Sequence, residues 1–137
     1  MATIRKQRHI DTPVNDAWAA LRDWGAPHER LVPGFVTATR LDGEDRIVTF
    51  FNGMTVRELL VALDEQERRL VWSVVEGPYT HHNGAAQVLP DPDGGTQFVW
   101  TADLLPHELA QRTDEMMERG IEVLKQTLEA QTVALER

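Results

Sequence analysis

The central part of the sequence contains a row of six strand-length segments. Short connections join them, reading "GE", "NG", "EQER", "GPY" and "PDPDGG", and these contain the Gly, Asn, Asp and Pro residues that tight turns favour. Strands joined so closely must lie antiparallel beside one another. The predicted strands cover residues 35–42, 45–51, 54–64, 69–76, 80–89 and 96–105.

The N-terminal part of the chain predicts one strand followed by two short helices. Residues 2–11 show weak strand alternation. Thr12 is a suitable cap for a helix whose first helical position is Pro13 and whose apolar face continues to about Asp23. A second short helix is predicted over residues 26–32, where a Pro-Gly pair ends it.

After Pro106 the apolar spacing becomes helical and continues to the end of the sequence, which predicts one long amphipathic helix. A curved antiparallel sheet with one face in water needs cover on its other face, and only this helix is large enough. The fold class is therefore α+β: a single domain, residues 1–137, whose seven-stranded antiparallel sheet wraps around the C-terminal helix. Its apolar side carries Leu109, Met116, Met117, Gly120, Ile121, Leu124, Leu128 and Leu135.

Composition and charge argue against several classes of function. The 137 residues carry a net charge of −8, which disfavours binding to nucleic acid. The absence of cysteine excludes disulfides, thiolate nucleophiles and sulfur-ligated zinc sites. No segment reaches the roughly eighteen continuous apolar residues of a membrane span, and the first residues lack the apolar core of a signal peptide. We expect a cytoplasmic monomer or homodimer without stable membrane insertion.

Three sequence motifs resemble those of a known superfamily. They are "DTPVNDAWAALRDW" (residues 11–24), "VRELLVALDEQERRLVWSVVEG" (56–77) and "PDPDGGTQFVW" (90–100). With the order of elements, they resemble the helix-grip superfamily of START lipid-transfer domains, birch-pollen-allergen-like plant proteins, abscisic-acid receptors and bacterial polyketide cyclase/dehydrase proteins. The resemblance covers essentially the whole chain. It implies an internal cavity between sheet and C-terminal helix that takes apolar or amphipathic ligands.

Strand alternation predicts which bulky side chains face this cavity. In "TQFVWTADLL", Phe98 and Trp100 share one phase with Ala102 and Leu104. The resemblance implies that Leu70, Trp72 and Val74 also face inward. Large aromatic residues dominate most protein cores, so Trp72 and Trp100 are as compatible with ordinary core packing as with ligand contact.

One predicted strand places a carboxylate among inward-facing apolar residues. Glu58 shares its phase with Val56, Leu60 and Ala62, and it matches a cavity carboxylate of the plant ligand-binding members that the chain resembles. A buried carboxylate needs a partner or water, and Arg46 on the preceding strand can reach it. The alternative is that Glu58 lies at a sheet edge and contacts solvent.

The adjacent residues His81 and His82 are candidate metal ligands, because histidine is a common ligand of metal ions in proteins. Neighbouring strand residues point to opposite faces, so the two rings cannot converge on one ion without a bulge, and we expect no metal. His82 is predicted to face inward, either as a general acid or base or as a hydrogen-bonded side chain in a wet pocket. Small residues at 84–86 would let a ligand approach the strand.

Gly120 interrupts the apolar side of the long helix between Met117 and Leu124. A glycine inside a helix is unfavourable by about 1 kcal/mol relative to alanine, so its presence at this position indicates a packing or functional requirement. It either leaves space for a ligand or lets the helix approach the sheet closely. Methionine suits a wall that repacks around different ligands.

Two functions follow from these expectations, and neither requires a cofactor. The first is a binding or carrier protein for a lipid, polyketide or isoprenoid-like molecule; the alternative is a polyketide cyclase or dehydratase in which His82 acts with Glu58 or Arg46. A regulatory protein that acts through protein contacts is a third possibility. The candidate catalytic residue is His82, and the candidate ligand-binding residues are Arg46, Glu58, Trp72, His82, Phe98, Trp100, Met117, Gly120 and Leu124.

Overall fold

A seven-stranded sheet forms the largest part of the structure, a computed structural model that describes residues 2–136. The strands lie in the order β1-β7-β6-β5-β4-β3-β2, and every neighbouring pair is antiparallel. This confirms the hairpin order predicted from the short connections. The strands are β1 Ala2–Ile10, β2 Val36–Asp42, β3 Asp45–Phe50, β4 Thr55–Asp64, β5 Arg69–Glu76, β6 His81–Pro90 and β7 Thr96–Leu105.

Within residues 2–136, three α-helices accompany the sheet, as predicted: α1 (Val14–Arg22), α2 (Pro27–Arg30) and α3 (Ala110–Leu135). A short 3-10 helix, His107–Leu109, leads into α3. The predicted cap of α1 is wrong, because Pro13 occupies the capping position and no side chain caps the helix. The Thr12 hydroxyl instead accepts a hydrogen bond from the Thr132 hydroxyl at 3.0 Å. Thr12 therefore ties the end of β1 to the last turns of α3.

A bulge in β4 changes which of its residues face the helix. Leu60 pairs with Trp72, but the next pairs are Ala62 with Val71 and Leu63 with Leu70. Leu63 packs on the same core cluster as Leu60, so the extra residue has moved Ala62 to the other face. The inward placement predicted for Ala62 is therefore wrong.

Helix α3 rests directly on the sheet at Gly120. A Cβ atom there would lie 2.9 Å from Trp100 Cζ3 and 3.1 Å from Phe35 Cε2, closer than such atoms pack. Of the two explanations for this glycine, the structure supports close approach and not open space. Leu135, predicted to belong to the buried side, is 76% exposed.

A ladder of ion pairs joins one side of α3 to the edge strand β1. Lys6 Nζ lies 2.7 Å from Asp114 and 3.0 Å from Glu118, while Arg8 contacts Glu118 and lies 2.9 Å from Glu122. The hydrogen bond from Lys6 is the largest influence that lowers the pKa of Glu118. These pairs hold α3 over the β1 side of the sheet and leave the concave face towards β2 less tightly covered.

Replacing a helical glycine with alanine normally stabilises a protein, but the contact at Gly120 predicts that Gly120→Ala destabilises this one. Gly120→Ala gains about 1 kcal/mol of helix propensity but forces a Cβ against Trp100 and Phe35, at a cost of roughly 1–3 kcal/mol. We expect its free energy of unfolding in urea to fall by roughly 1 kcal/mol. Gln126 lies at an exposed position of the same helix. The difference in unfolding free energy between Gln126→Gly and Gln126→Ala gives the helix-propensity effect of glycine against alanine without a packing effect. Stabilisation by Gly120→Ala equal to that difference would contradict the close approach.

Candidate ligand-binding cavity

A cavity of about 130 Å³ lies between the concave face of the sheet, helix α2 and the first half of α3. Its walls are mostly apolar and come from nearly every element. The sheet contributes Val48, Val56, Leu70 and Phe98, among others; the helices contribute Leu21, Met116, Met117 and Leu124.

Two tryptophans form much of the aromatic wall. The rings of Trp72 and Trp100 are 6.5 Å apart, centre to centre. Trp72 pairs across the sheet with Gly84, and a Cβ on that glycine would lie 2.6 Å from Trp72 Cε2. The space at Gly84 is thus filled by the indole ring, which corrects the expectation that it admits a ligand.

The predicted inward ion pair is present. Arg46 and Glu58 are direct cross-strand partners, and Arg46 Nε donates to Glu58 Oε1 at 2.7 Å. Both residues are buried, so Glu58 does not lie at a solvated edge. The Arg46 guanidinium also lies 3.7 Å from the centre of the Trp24 ring and donates to the Trp24 carbonyl at 3.2 Å. The pair brings no net charge to the cavity.

His82 replaces a missing backbone hydrogen bond between β5 and β6. The regular pairing of β5 with β6 ends at Trp72 and Gly84. Two residues further along β5, the Val74 N–H donates to His82 Nδ1 at 3.3 Å. Because a backbone N–H can only donate, Nδ1 carries no proton and the neutral ring holds its proton on Nε2. Burial lowers the pKa of His82, and the negative charge of Glu58 partly opposes this shift.

Two polar residues of the site were not found from the sequence. Tyr79, in the turn between β5 and β6, and Thr113, in the first turn of α3, share a hydrogen bond of 2.7 Å between their hydroxyl oxygens. Both line the cavity, and the Tyr79 ring lies 5.0 Å from that of His82. Thr113 precedes Met117 by one helical turn, so helical spacing does place it on the apolar side.

The partly exposed lining residues cluster at one end of the sheet, where β3 meets β4, β5 meets β6 and α3 begins. They include Phe50, Met54, Tyr79 and Met116. At this end the Arg119 guanidinium lies 3.8 Å from the centre of the Phe51 ring and connects α3 to the β3–β4 turn. These residues mark the mouth of the cavity.

The cavity brings together eight of the nine candidate residues: Arg46, Glu58, Trp72, His82, Phe98, Trp100, Met117 and Leu124. Gly120 does not line it, because Trp100 and Phe35 cover that glycine. His81 is exposed while His82 is buried, so the two rings do not converge. Within residues 2–136 no three His, Asp or Glu residues are grouped as metal ligands. None of the helices in that range has the length and apolar character that crossing a membrane requires.

The buried ion pair predicts a large and asymmetric effect of mutation. Arg46→Met leaves Glu58 buried without its partner and should lower the free energy of unfolding by about 3–5 kcal/mol. Combining it with Glu58→Leu removes the orphan charge and should restore much of that loss. Arg57→Met, which breaks more exposed pairs with Asp42 and Asp45, is the control and should cost far less. Equal losses in the single and double variants would contradict a desolvated pair.

Comparison with known proteins agrees with this architecture. The NMR structure of a Thermobifida fusca protein is 28% identical, with a TM-score of 0.79 and coverage of 100% of this chain and 97% of that one. A norcoclaurine synthase point mutant from Thalictrum, bound to a transition-state analogue, is 16% identical, with a TM-score of 0.75 and coverages of 99% and 96%. A Mycobacterium smegmatis START superfamily protein is 10% identical, with a TM-score of 0.74 and coverages of 97% and 98%.

No curated protein matches the sequence. Residues 1–134 match the model of a protein family described as polyketide cyclase / dehydrase and lipid transport. Since the match spans nearly the whole sequence and the fold is that of START-like proteins, this chain belongs to the polyketide cyclase/dehydrase and lipid-transport family.

Proposed function

We propose that this protein binds a hydrophobic or amphipathic small molecule in the cavity between the sheet and α3. The observation that carries the proposal is a cavity with mostly apolar walls that contains a few fixed polar groups. Ligand sites commonly combine apolar surface for affinity with polar groups for orientation. The description of the family supports the same function.

The size of the cavity limits what it takes without rearrangement. Its volume of about 130 Å³ is near that of an engineered cavity of about 150 Å³ that binds benzene. Typical ligand pockets are larger, at about 300–1,000 Å³. A single-ring compound fits this volume without rearrangement. A lipid is larger, so it can enter only if the mouth of the cavity opens and Arg119 separates from Phe51.

A second candidate function is proton transfer on a bound substrate, as in a cyclase or dehydratase. It is favoured by the neutral His82 ring and the Glu58 carboxylate, since both line the same cavity. A neutral imidazole with its proton on Nε2 can polarise a substrate carbonyl by donating a hydrogen bond to it. The Glu58 carboxylate would then be the base that accepts a proton from the substrate. If His82→Ala leaves the turnover of an identified substrate unchanged, this candidate fails and binding alone remains.

Filling the cavity should abolish binding. Ala86 is 2% exposed and lines the cavity, so the larger side chain of Ala86→Leu occupies ligand space. We expect toluene to change the fluorescence of Trp72 and Trp100 in the wild-type protein and to have at least about ten-fold lower affinity for the variant. Met116→Trp fills the mouth from a half-buried position and is a second test that leaves the sheet intact.

Ala38→Leu, on the exposed side of β2, is the matched control and should bind toluene as the wild-type protein does. Circular dichroism checks that each variant is folded. Unchanged affinity in both folded filling variants, or no uptake of toluene by the wild-type protein, would refute binding in this cavity.

A further inference from the structure

Resting on the proposed function, we infer that the ligand is a neutral, single-ring aromatic compound with a carbonyl group at one end and a hydroxyl group at the opposite end. Three features of the cavity support this class of ligand: its unused hydrogen-bonding atoms, their positions on the wall, and the absence of a net charge around them. It names a narrower class of compound than the family description, which includes lipids.

The end of the cavity near β6 offers hydrogen-bond donors. His82 Nδ1 accepts from Val74, which leaves the Nε2 proton as a donor without a partner among the described residues. Tyr79 and Thr113 share one hydrogen bond, so one of the two hydroxyl protons is not used in it. The rings of Tyr79 and His82 lie 5.0 Å apart, so these donors belong to the same part of the wall. They suit a carbonyl oxygen, which accepts two hydrogen bonds.

The wall at β4 offers an acceptor. Glu58 Oε1 accepts from Arg46, and a carboxylate has further lone pairs on both of its oxygens. Glu58 and His82 belong to strands two places apart in the sheet, a separation of about 10 Å between their backbones. Val74 lies between them and provides apolar surface. A ligand that lies on Val74 therefore has the donors at one end and the acceptor at the other, which places its two polar groups on opposite sides of a single ring.

The charge balance favours a neutral ligand. Arg46 neutralises Glu58, and the buried ring of His82, whose Nδ1 accepts from the Val74 N–H, is neutral. A carboxylate or ammonium group on the ligand would therefore be buried without an opposite charge, which is costly. Fatty acids and other charged lipids are disfavoured for this reason as well as by their length.

The test uses four related compounds and isothermal titration calorimetry on the full chain. 4-Hydroxyacetophenone has both polar groups, 4-ethylphenol lacks the carbonyl, 4-methoxyacetophenone lacks the hydroxyl proton, and 4-hydroxybenzoate is charged. We expect 4-hydroxyacetophenone to bind most tightly, with each missing hydrogen bond weakening binding about ten-fold. 4-Hydroxybenzoate should bind more weakly than all three.

Variants then locate the carbonyl end. The double variant Tyr79→Phe with Thr113→Val removes both hydroxyls and retains the ring of residue 79 and the branched side chain of residue 113. It should weaken 4-hydroxyacetophenone about ten-fold and leave 4-ethylphenol unchanged. Thr101→Val, which removes a half-buried hydroxyl of β7 that is not part of the cavity wall, is the control and should change neither affinity.

The outcomes separate this inference from the proposed function. If toluene and 4-ethylphenol bind as tightly as 4-hydroxyacetophenone, the cavity binds ligands but the inferred class is wrong. The same holds if palmitate or 4-hydroxybenzoate binds more tightly than the neutral ketone. If none of these compounds binds, toluene included, both the proposed function and this inference are overturned.

Discussion

Helix α3 is fixed over one part of the sheet, and its placement determines where the cavity lies. Gly120 allows the helix to touch Trp100 and Phe35 directly, and the ion pairs of Lys6 and Arg8 hold its other side against β1. A helix so placed cannot also fill the concave surface towards β2. The cavity is the space that remains there, and α2 and the side chains of β2–β5 close it only in part.

Polar groups inside such a cavity persist only if the fold satisfies them. Arg46 and Glu58 neutralise each other, and His82 accepts the backbone hydrogen bond that β5 loses where it separates from β6. These are structural requirements, and they also determine the chemistry of the site. Each group uses part of its hydrogen-bonding capacity within the protein, and the remaining donors and acceptors are available to a ligand.

The sheet, its strand order and the long helix could be predicted because short connections and apolar periodicity are local properties of the sequence. Alternation also placed Arg46 and His82 on the inward face, whereas the inward placement of Glu58 rested mainly on the family resemblance. Alternation failed at Ala62, where a bulge adds a residue that no sequence pattern marks. The roles of Gly84 and Gly120 depend on Trp72 and Trp100, which are distant in sequence, and the Tyr79–Thr113 pair joins a turn to a helix. Such contacts require the three-dimensional structure.

The chemistry of the cavity depends on His82 being a neutral hydrogen-bond donor with its proton on Nε2. The most direct test is ¹⁵N NMR of the histidine side chains across a pH titration, with His82→Gln to assign the signals. Because burial lowers the pKa of His82, the ring should still be mostly neutral at about pH 6.5, the ordinary pKa of histidine, with its proton on Nε2. A ring that is mostly protonated at that pH, or a neutral ring protonated on Nδ1, would contradict the account.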